Sequence, residues 1–348
     1  MTKHATFVWS DHDIRNAIAN NVIVVPETTK VIQPASLDIR PASTMWRLPA
    51  SGLPGKKMTI KSYLHAYASC ATQKFSNTIL ERNCVYIVEL NAGLNLSPTI
   101  SARANPKSSI GRLDVFVRLL TDYADEFDTV IDGYKGPLYA EVVPLTRPIM
   151  LDGSPLLQLR FRELLFNNGR DFLATTPDTP VTVDLKTTEE NGGLIGYRFR
   201  REGSVIRLGD RDIPRFENWE PIYAKNETII LEPEAFYILA SNEAVLVNVD
   251  EAAELTAYDV GLGEMRCHYA GFIDPGFGLN TDGTPNGSKL VLEVRGHDVP
   301  FMLRHGQRVG TLKHERLRSP ATVPYGTGEL GSNYQGQGLR LSKHFSQT

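Results

Sequence analysis

The first residue with a chemical use is a glutamate inside an apolar run. Glu293 lies in SKLVLEV (288–294), among Val291, Leu292 and Val294. A carboxylate in an apolar strand is costly to ionise unless a partner meets it. Such a residue is either a partnered core acid or a general acid and base whose pKa has been raised. The run alone does not decide between these two roles.

A second candidate is an anion site in PKSSIGR (106–112). Lys107, Ser108, Ser109 and Arg112 occur together here, at the predicted start of a helix. Free backbone N–H groups, hydroxyls and cations are the groups that bind phosphates. The alternative is a serine N-cap beside two solvated charges.

The chain ends in a polar, glycine-rich segment, residues 319–345. It contains Tyr325, Tyr334, Gln337 and Lys343. Tyrosines that stack on a base or sugar, with basic groups that meet phosphates, would make this segment a mobile lid over a nucleotide. The alternative is a disordered tail, which the position near a terminus favours.

Several other chemistries find no support in the sequence. The chain lacks the H-x-E and P-C-x-x-C strings of zinc deaminases, a Walker A string and a dinucleotide fingerprint. Its 3 cysteines are widely spaced and predict neither a disulfide framework nor a zinc site. A net charge of −3 argues against nucleic acid as a partner. No uncharged run approaches about 18 residues and no leader is visible, so we expect a soluble cytoplasmic protein with no membrane partner.

The elements that must position these groups are mostly strands. Proline and glycine recur at short intervals, and the runs between them are rich in Val, Ile, Leu, Phe and Tyr. This pattern predicts a mainly β sandwich or barrel with few short helices. We expect one helix after Ser10 and a second over 109–124. Residues 33–42 alternate in polarity and predict an early strand.

The sequence also contains an internal repeat. The string at 79–81 recurs at 230–232, and Glu141-Val142 recurs as Glu293-Val294, at a near-constant offset. A constant offset over a long stretch indicates a duplicated unit.

We therefore predict two tandem β domains that derive from one ancestral unit, residues 1–166 and residues 181–348. The joint between them, about 167–180, is rich in Asn, Thr and Pro, as linkers are.

Four strings in these regions resemble the motifs of one family. PKSSIGR resembles R-S-S-x-x-R, and AGFIDPGFG (270–278) with VLEV resembles the A-G-x-I-D-P-G-F and L-E strands. GQRVGTL (306–312) matches a G-x-x-I-G-x-L strand, and YQGQGLRLSKHF (334–345) matches a closing lid string. The family is that of the dCTP deaminases, within the dUTPase-like superfamily. The resemblance touches both halves and implies a long, duplicated form with two distorted β-barrel or jelly-roll domains.

The resemblance implies a role for each matched position. Glu293 would activate water and protonate the leaving ammonia. Ser108, Ser109 and Arg112 would bind the phosphates and support the water, and Asp274 would hold the deoxyribose. The other implied nucleotide-binding positions are Lys107, Ala270, Val291, Leu292, Tyr325, Tyr334, Gln337 and Lys343. No protein ligand to a metal is implied: Mg2+ would arrive on the triphosphate, and zinc is not expected.

Two departures from the family pattern leave the catalytic glutamate open. The second half lacks SSxxR and reads ELTAYDVGLGEM at 254–265. The first half has SSxxR and its own Glu141, but its turn reads VIDGYKG (130–136). We favour a composite site that joins the SSxxR of the first half to Glu293, because strand motif and lid lie in one half. The alternative is Glu141 as the base.

The leading functional hypothesis is deamination of dCTP to dUTP and ammonia for thymidylate synthesis, with dTTP as a feedback inhibitor. A dUTPase or a bifunctional enzyme is the alternative within the superfamily. Hydrolysis would need an aspartate that holds water at the α-phosphate, and Asp132 and Asp274 leave this alternative open. A catalytically silent nucleotide-binding regulator is the alternative from another class. Because superfamily sites lie between subunits, a homotrimer is favoured.

Overall fold

The computed structural model describes residues 4–26, 31–73, 78–166, 175–189, 191–257, 265–268, 271–280, 282–327, 336 and 338–346. Strands dominate these residues, and the helices are few and short. The expectation of a mainly β fold with few short helices is confirmed.

The first half carries three helices and fourteen strands within the described residues. The helices are α1 (Asp11–Ala19), α2 (Ile60–Tyr67) and α3 (Ser108–Gly111). The strands are β1 (His4–Val8), β2 (Ile23–Val24), β3 (Ile32–Gln33), β4 (Ser36–Ile39), β5 (Pro41–Leu48), β6 (Cys70–Gln73), β7 (Ile79–Leu80), β8 (Val85–Asn95), β9 (Ile100–Pro106), β10 (Val115–Leu120), β11 (Thr129–Val130), β12 (Lys135–Pro144), β13 (Ile149–Met150) and β14 (Leu157–Phe166).

The second half carries one described helix, α4 (Arg215–Asn218), and twelve described strands. The strands are β15 (Thr179–Asp184), β16 (Leu194–Phe199), β17 (Ile206–Arg207), β18 (Trp219–Tyr223), β19 (Thr228–Leu231), β20 (Phe236–Val245), β21 (Glu251–Ala257), β22 (Met265–His268), β23 (Phe272–Ile273), β24 (Ser288–Gly296), β25 (Phe301–Arg304) and β26 (Arg308–Arg316). Residues 167–174 of the predicted linker lie outside the described residues, so the domain boundaries stay a prediction.

Two sheets contain most strands of the first half, and one large sheet dominates the second. The first half pairs its strands in the orders β11-β9-β14-β4-β3 and β10-β12-β8-β5-β6, with β1 added to β14 and β2 to β8. The second half runs β18-β16-β20-β15-β26-β21-β23, with β24 on β20 and β22 on β24. A parallel pair between β13 and β17 links the halves directly.

The helix after Ser10 forms as predicted, and the helix over 109–124 does not. Ser10 caps α1 in a capping box with Asp13. The second prediction is wrong because α3 ends at Gly111 and Asp114 turns the chain with a left-handed φ of 56°. The next residues alternate between buried and half-buried positions in β10, so the period of two outweighs helix propensity there.

Corresponding strands in the two halves pair in the same way. Glu141 of β12 lies opposite Ile87 of β8, and Glu293 of β24 lies opposite Ile238 of β20. In each half a tyrosine hydroxyl near the start of the partner strand accepts a hydrogen bond from a glutamate N–H, at 3.1 Å in the first half and 2.9 Å in the second. This equivalence supports the proposal of a duplication.

The two halves share a hydrophobic core. The core of the first half also contains the aromatic cluster of Phe199, Trp219, Phe236 and Phe345 from the second half. Trp219 is fully buried, with its ring 4.4 Å from that of Phe199 and 5.6 Å from that of Phe345. The shared core fixes one half against the other. Among the described residues, no helix is both long and apolar enough to cross a membrane.

Trp219→Ala tests the shared core. Removing a fully buried indole should lower the free energy of unfolding by about 3–5 kcal/mol. Because the core spans both halves, the wild-type chain should unfold in one transition, measured by denaturant titration with circular dichroism. Trp46→Ala, at a half-buried position on β5, is the control and should cost less. Two separate wild-type transitions would contradict the shared core.

Candidate active site

Residues from both halves line one cavity of about 280 Å³. The SSxxR segment of the first half forms one wall, and the Asp274 turn and the Glu293 strand of the second half form the other. Among the residues that line it are Asp38, Lys107, Ser108, Ser109, Arg112, Gln158, Asp274, Val291, Glu293, Tyr325, Lys343 and His344. The candidate site is therefore composite.

The SSxxR segment follows directly from the end of a strand. Proline at position 106 ends β9, Lys107 is extended, and one helical turn follows in α3. Lys107 donates from Nζ to Asp38 Oδ1 at 2.7 Å and to Gln158 Oε1 at 3.4 Å. Arg112 is buried just past the turn and donates to the carbonyl oxygen of Arg340 at 3.0 Å. Two cations thus face the cavity, each held by the protein.

Glu293 faces the cavity from the middle of β24. Leu292 and Val294 belong to the core of the second half, whereas Val291 and Glu293 line the cavity. Leu292, predicted to bind nucleotide, is therefore on the other face of the strand. Glu293 Oε1 lies 3.8 Å from Arg112 Nε, and Glu293 Oε2 has no hydrogen-bond partner among the described residues.

The surroundings of Glu293 favour the protonated form of its side chain more than water does. Burial raises the pKa of Glu293 well above its ordinary value, and the negative charge of Asp114 raises it further. The positive charge of Arg112 acts in the opposite direction but does not cancel the burial. A carboxyl group with a raised pKa can both take up and give back a proton near neutral pH.

Glu141 lies elsewhere. It is buried on β12, forms an ion pair with Arg118 and accepts a hydrogen bond from Ser51 Oγ at 3.3 Å. The Arg118 guanidinium in turn stacks 3.8 Å from the centre of the Phe127 ring. Glu141 is not among the residues that line the cavity. Asp132 is exposed and also outside it.

The turn that carries Asp274 is held by an arginine of the other half. Arg160 of β14 is fully buried and reaches Asp274 Oδ1 at 3.3 Å and the carbonyl oxygen of Ile273 at 3.2 Å. Burial raises the pKa of Asp274, and Arg160 acts against that rise. Sequence reasoning missed Arg160, although Arg160 and Arg162 alternate with apolar residues in β14 and so mark a cationic strand face.

A glycine brings the start of the lid segment onto this turn. Gly276 has a φ of 88°, and a Cβ there would lie 2.8 Å from Pro324 Cβ. The N–H of Tyr325 donates to the carbonyl oxygen of Pro275 at 2.7 Å, and its ring lies 5.8 Å from that of Phe277. Tyr325 therefore lines the cavity as part of a packed segment.

The end of the chain packs against the SSxxR turn. Ser342 Oγ lies 2.8 Å from the carbonyl oxygen of Ser109 and 2.7 Å from His344 Nδ1. His344 Nε2 lies 3.0 Å from the carbonyl oxygen of Leu208, which can only accept, so Nε2 carries the proton. Lys343, between them, lines the cavity. Ala270, Tyr334 and Gln337 lie outside the described residues.

Comparison with known proteins identifies the family. The family description "2'-deoxycytidine 5'-triphosphate deaminase (DCD)" matches as its N-terminal domain over residues 5–165 and as its C-terminal domain over residues 156–345. The chain belongs to the dCTP deaminase family. A crystal structure of 2'-deoxycytidine 5'-triphosphate deaminase from Agrobacterium tumefaciens is 40% identical, with a TM-score of 0.81 over 90% of this chain and 99% of that one.

Shorter relatives match over part of the family fold. The "dCTP deaminase, dUMP-forming" of Beutenbergia cavernae is 37% identical over 115 residues, which are 32% of this chain and 55% of that protein. The protein of the same name from Clavibacter michiganensis is 39% identical over 114 residues, 32% of this chain and 52% of that protein. The chain thus spans about half the length of these curated relatives.

His344 should make the stability of this deaminase-family chain depend on pH. Burial lowers the pKa of His344 to about 4 from an ordinary 6.5. Between these values the unfolded chain binds a proton that the folded chain does not, so the free energy of unfolding should rise with pH across this window, by on the order of 3 kcal/mol. His344→Asn should flatten the rise in urea titrations at several pH values. The exposed His12→Asn is the control, and equal slopes in both variants would contradict the prediction.

Proposed function

We propose that the chain catalyses the hydrolytic deamination of dCTP to dUTP and ammonia. The observation that carries the proposal is the meeting of Glu293 with the SSxxR segment in one cavity. Family membership and the likeness to the Agrobacterium tumefaciens enzyme support the same substrate.

The chemistry requires one group that moves two protons. Water must reach C4 of cytosine as its proton leaves, and the departing amine must gain a proton before the C4–N bond breaks. Glu293 as carboxylate takes the first proton from water and as carboxylic acid delivers it to N3 of the ring. It then takes the second proton from the C4 hydroxyl and gives it to the amine, so that the C4–N bond breaks as the C4 carbonyl forms. Water is consumed, and ammonia and a C4 carbonyl are formed. The raised pKa of Glu293 supports both roles for one side chain.

The triphosphate would lie along the cationic wall. Lys107, Arg112 and Lys343 supply positive charge, and Ser108 and Ser109 supply hydroxyl groups. Burial and the nearby cations lower the pKa of Lys343, so an anion beside it would be favoured. Among the described residues no group of three or more His, Cys, Asp or Glu side chains could hold a metal ion. Mg2+ is proposed to enter with the triphosphate of the substrate, where it would offset part of the negative charge.

The nucleoside would lie against the second half. Asp274, held by Arg160, is proposed to hold the deoxyribose hydroxyl, with Val291 beside the base. Tyr325 is proposed to close over the nucleotide, together with Tyr334 and Gln337. Backbone groups of Ala270 and Leu292 are proposed to make further contacts with the base.

A second candidate function is a bifunctional enzyme that also hydrolyses dUTP. The names of the Beutenbergia and Clavibacter proteins, "dUMP-forming", favour it. Of the two aspartates that could orient water at the α-phosphate, Asp274 lines the cavity and Asp132 does not. Asp274 is therefore the residue proposed for that step.

One assay separates these functions. The chain is incubated with dCTP and Mg2+ while ammonia and pyrophosphate are followed. Ammonia alone supports the deaminase, and both products support the bifunctional enzyme. Pyrophosphate from added dUTP without ammonia from dCTP supports a dUTPase. Tight nucleotide binding without either product supports a silent regulator.

Glu293→Gln should lower the rate of ammonia release by roughly a hundredfold or more, because the amide cannot carry the proton. Binding of dCTP, measured by calorimetry, should persist. Glu141→Gln is the matched control, since it removes the same charge from a buried strand position outside the cavity. Circular dichroism checks that both variants fold. Turnover retained by Glu293→Gln and lost by Glu141→Gln would move the base to Glu141.

Ser109→Ala and Arg112→Ala should each weaken dCTP binding and turnover by about tenfold or more, because a hydrogen bond to a charged group contributes roughly 1.5–3 kcal/mol. The measurements are the dissociation constant of dCTP and the rate of ammonia release. Ser97→Ala and Arg103→Ala, at exposed positions outside the cavity, are the controls. If neither site variant differs from its control, the phosphate site is wrongly assigned.

Two wider proposals concern inhibition and assembly. dTTP shares the triphosphate and deoxyribose of the substrate, so it is proposed to compete for the same groups, which inhibition by dTTP at limiting dCTP would test. A homotrimer is proposed from the superfamily pattern, and light scattering of the purified chain measures it.

A further inference from the structure

Two ion pairs connect the SSxxR segment to β24 in matching register. Arg112 and Asp114 lie two residues apart in the first half, and Glu293 and Arg295 lie two residues apart in the second. Arg112 faces Glu293, and Asp114 forms an ion pair with Arg295. The charges alternate on both sides, so a shift of either segment along the other would bring like charges together.

Asp114 is built into the fold at a conformational cost. Its φ of 56° is left-handed, a region that costs an L residue roughly 1 kcal/mol or more. The side chain is fully buried, and Thr146 Oγ1 donates to its Oδ2 at 2.6 Å. The N–H of Leu145 donates to its carbonyl oxygen at 3.0 Å. Contacts within the first half thus hold Asp114 in one orientation, independently of its ion pair with β24.

The two pairs differ in what they face. Arg112 and Glu293 both line the cavity, and neither Asp114 nor Arg295 does. Alternate residues of a strand have a common orientation, so Arg295 continues the row of Glu293 beyond the cavity wall. The outer pair can therefore position the inner pair without touching a nucleotide.

We propose that Asp114, through its ion pair with Arg295, is a positioning residue that holds Glu293 opposite Arg112 across the two halves. This inference rests on the proposed function, in which Glu293 moves the protons. Asp114 also acts on Glu293 electrostatically, because its negative charge opposes the effect of the positive charge of Arg112 there. The charged groups that act on Glu293 in the described structure are Arg112 and Asp114. Arg295 follows two residues later on β24, and His268 is the register partner of Glu293 on β22.

Asp114→Asn is the main test, because asparagine tolerates the left-handed backbone and has nearly the same size. The rate constant kcat for ammonia release should fall about tenfold or more, while KM for dCTP changes less than about threefold. With the negative charge gone, Glu293 ionises more easily, so the acidic limb of the kcat–pH profile should move to lower pH. Arg295→Lys keeps the ion pair and should retain most of kcat.

Asp128→Asn is the matched control. Asp128 also has a left-handed φ, of 61°, and accepts a hydrogen bond from the N–H of Leu119, but it lies outside the cavity lining. Its variant should leave the acidic limb in place. An unchanged kcat and limb in Asp114→Asn, or equal changes in both variants, would overturn the inference.

Two further measurements cover the other outcomes. If Asp114→Asn does not fold, Asp114→Asn combined with Arg295→Gln leaves no unpaired buried charge, and the same loss of kcat is expected.

If the wild type releases no ammonia, the proposed function fails, and the pair is tested by infrared titration of the Glu293 carboxyl band, assigned by its loss in Glu293→Gln. The midpoint should be lower in Asp114→Asn than in the wild type. An equal midpoint contradicts the inference.

Discussion

The structure depends on a buried carboxylate that meets its counter-charge across two halves of one chain. Glu293 arrives on a strand of the second half, and Arg112 arrives just past the short helix of the first. Taking either charge out of water alone would be costly, and their separation of 3.8 Å offsets part of that cost. Burial raises the pKa of Glu293 more than Arg112 lowers it, so the pKa stays high. A raised pKa is what the proposed proton transfer requires.

The remaining architecture keeps these two side chains together. The aromatic cluster around Trp219 places residues of the second half in the core of the first. Arg160 and Arg162 extend from β14 to Asp274 and to Glu254 and Glu315 of the second half. The chain end then closes the arrangement, since Ser342 contacts the SSxxR turn. Each of these contacts crosses between the halves and so fixes the two walls of the cavity against each other.

The repeated strands show how two similar units come to differ. Glu141 and Glu293 occupy corresponding positions, and both are buried. Arg118 forms an ion pair with Glu141, and Ser51 donates a hydrogen bond to it, whereas Glu293 lies 3.8 Å from Arg112 and lines the cavity. The corresponding carboxylates therefore both meet an arginine, but only that of the second half lines the cavity. The neighbours, and not the strand, decide the chemistry.

The amino-acid sequence by itself determined the mainly β fold, the helix after Ser10, the motif strings and the family, because short-range patterns of polarity and spacing carry these features. It predicted a helix over 109–124 wrongly, because the left-handed turn at Asp114 depends on contacts with Thr146 and Arg295, which are distant in sequence. The sequence left two glutamates open, favouring Glu293. Only the tertiary structure placed Glu293 beside Arg112 and Glu141 beside Arg118, because side-chain pairing across strands depends on which segments the shared core brings together.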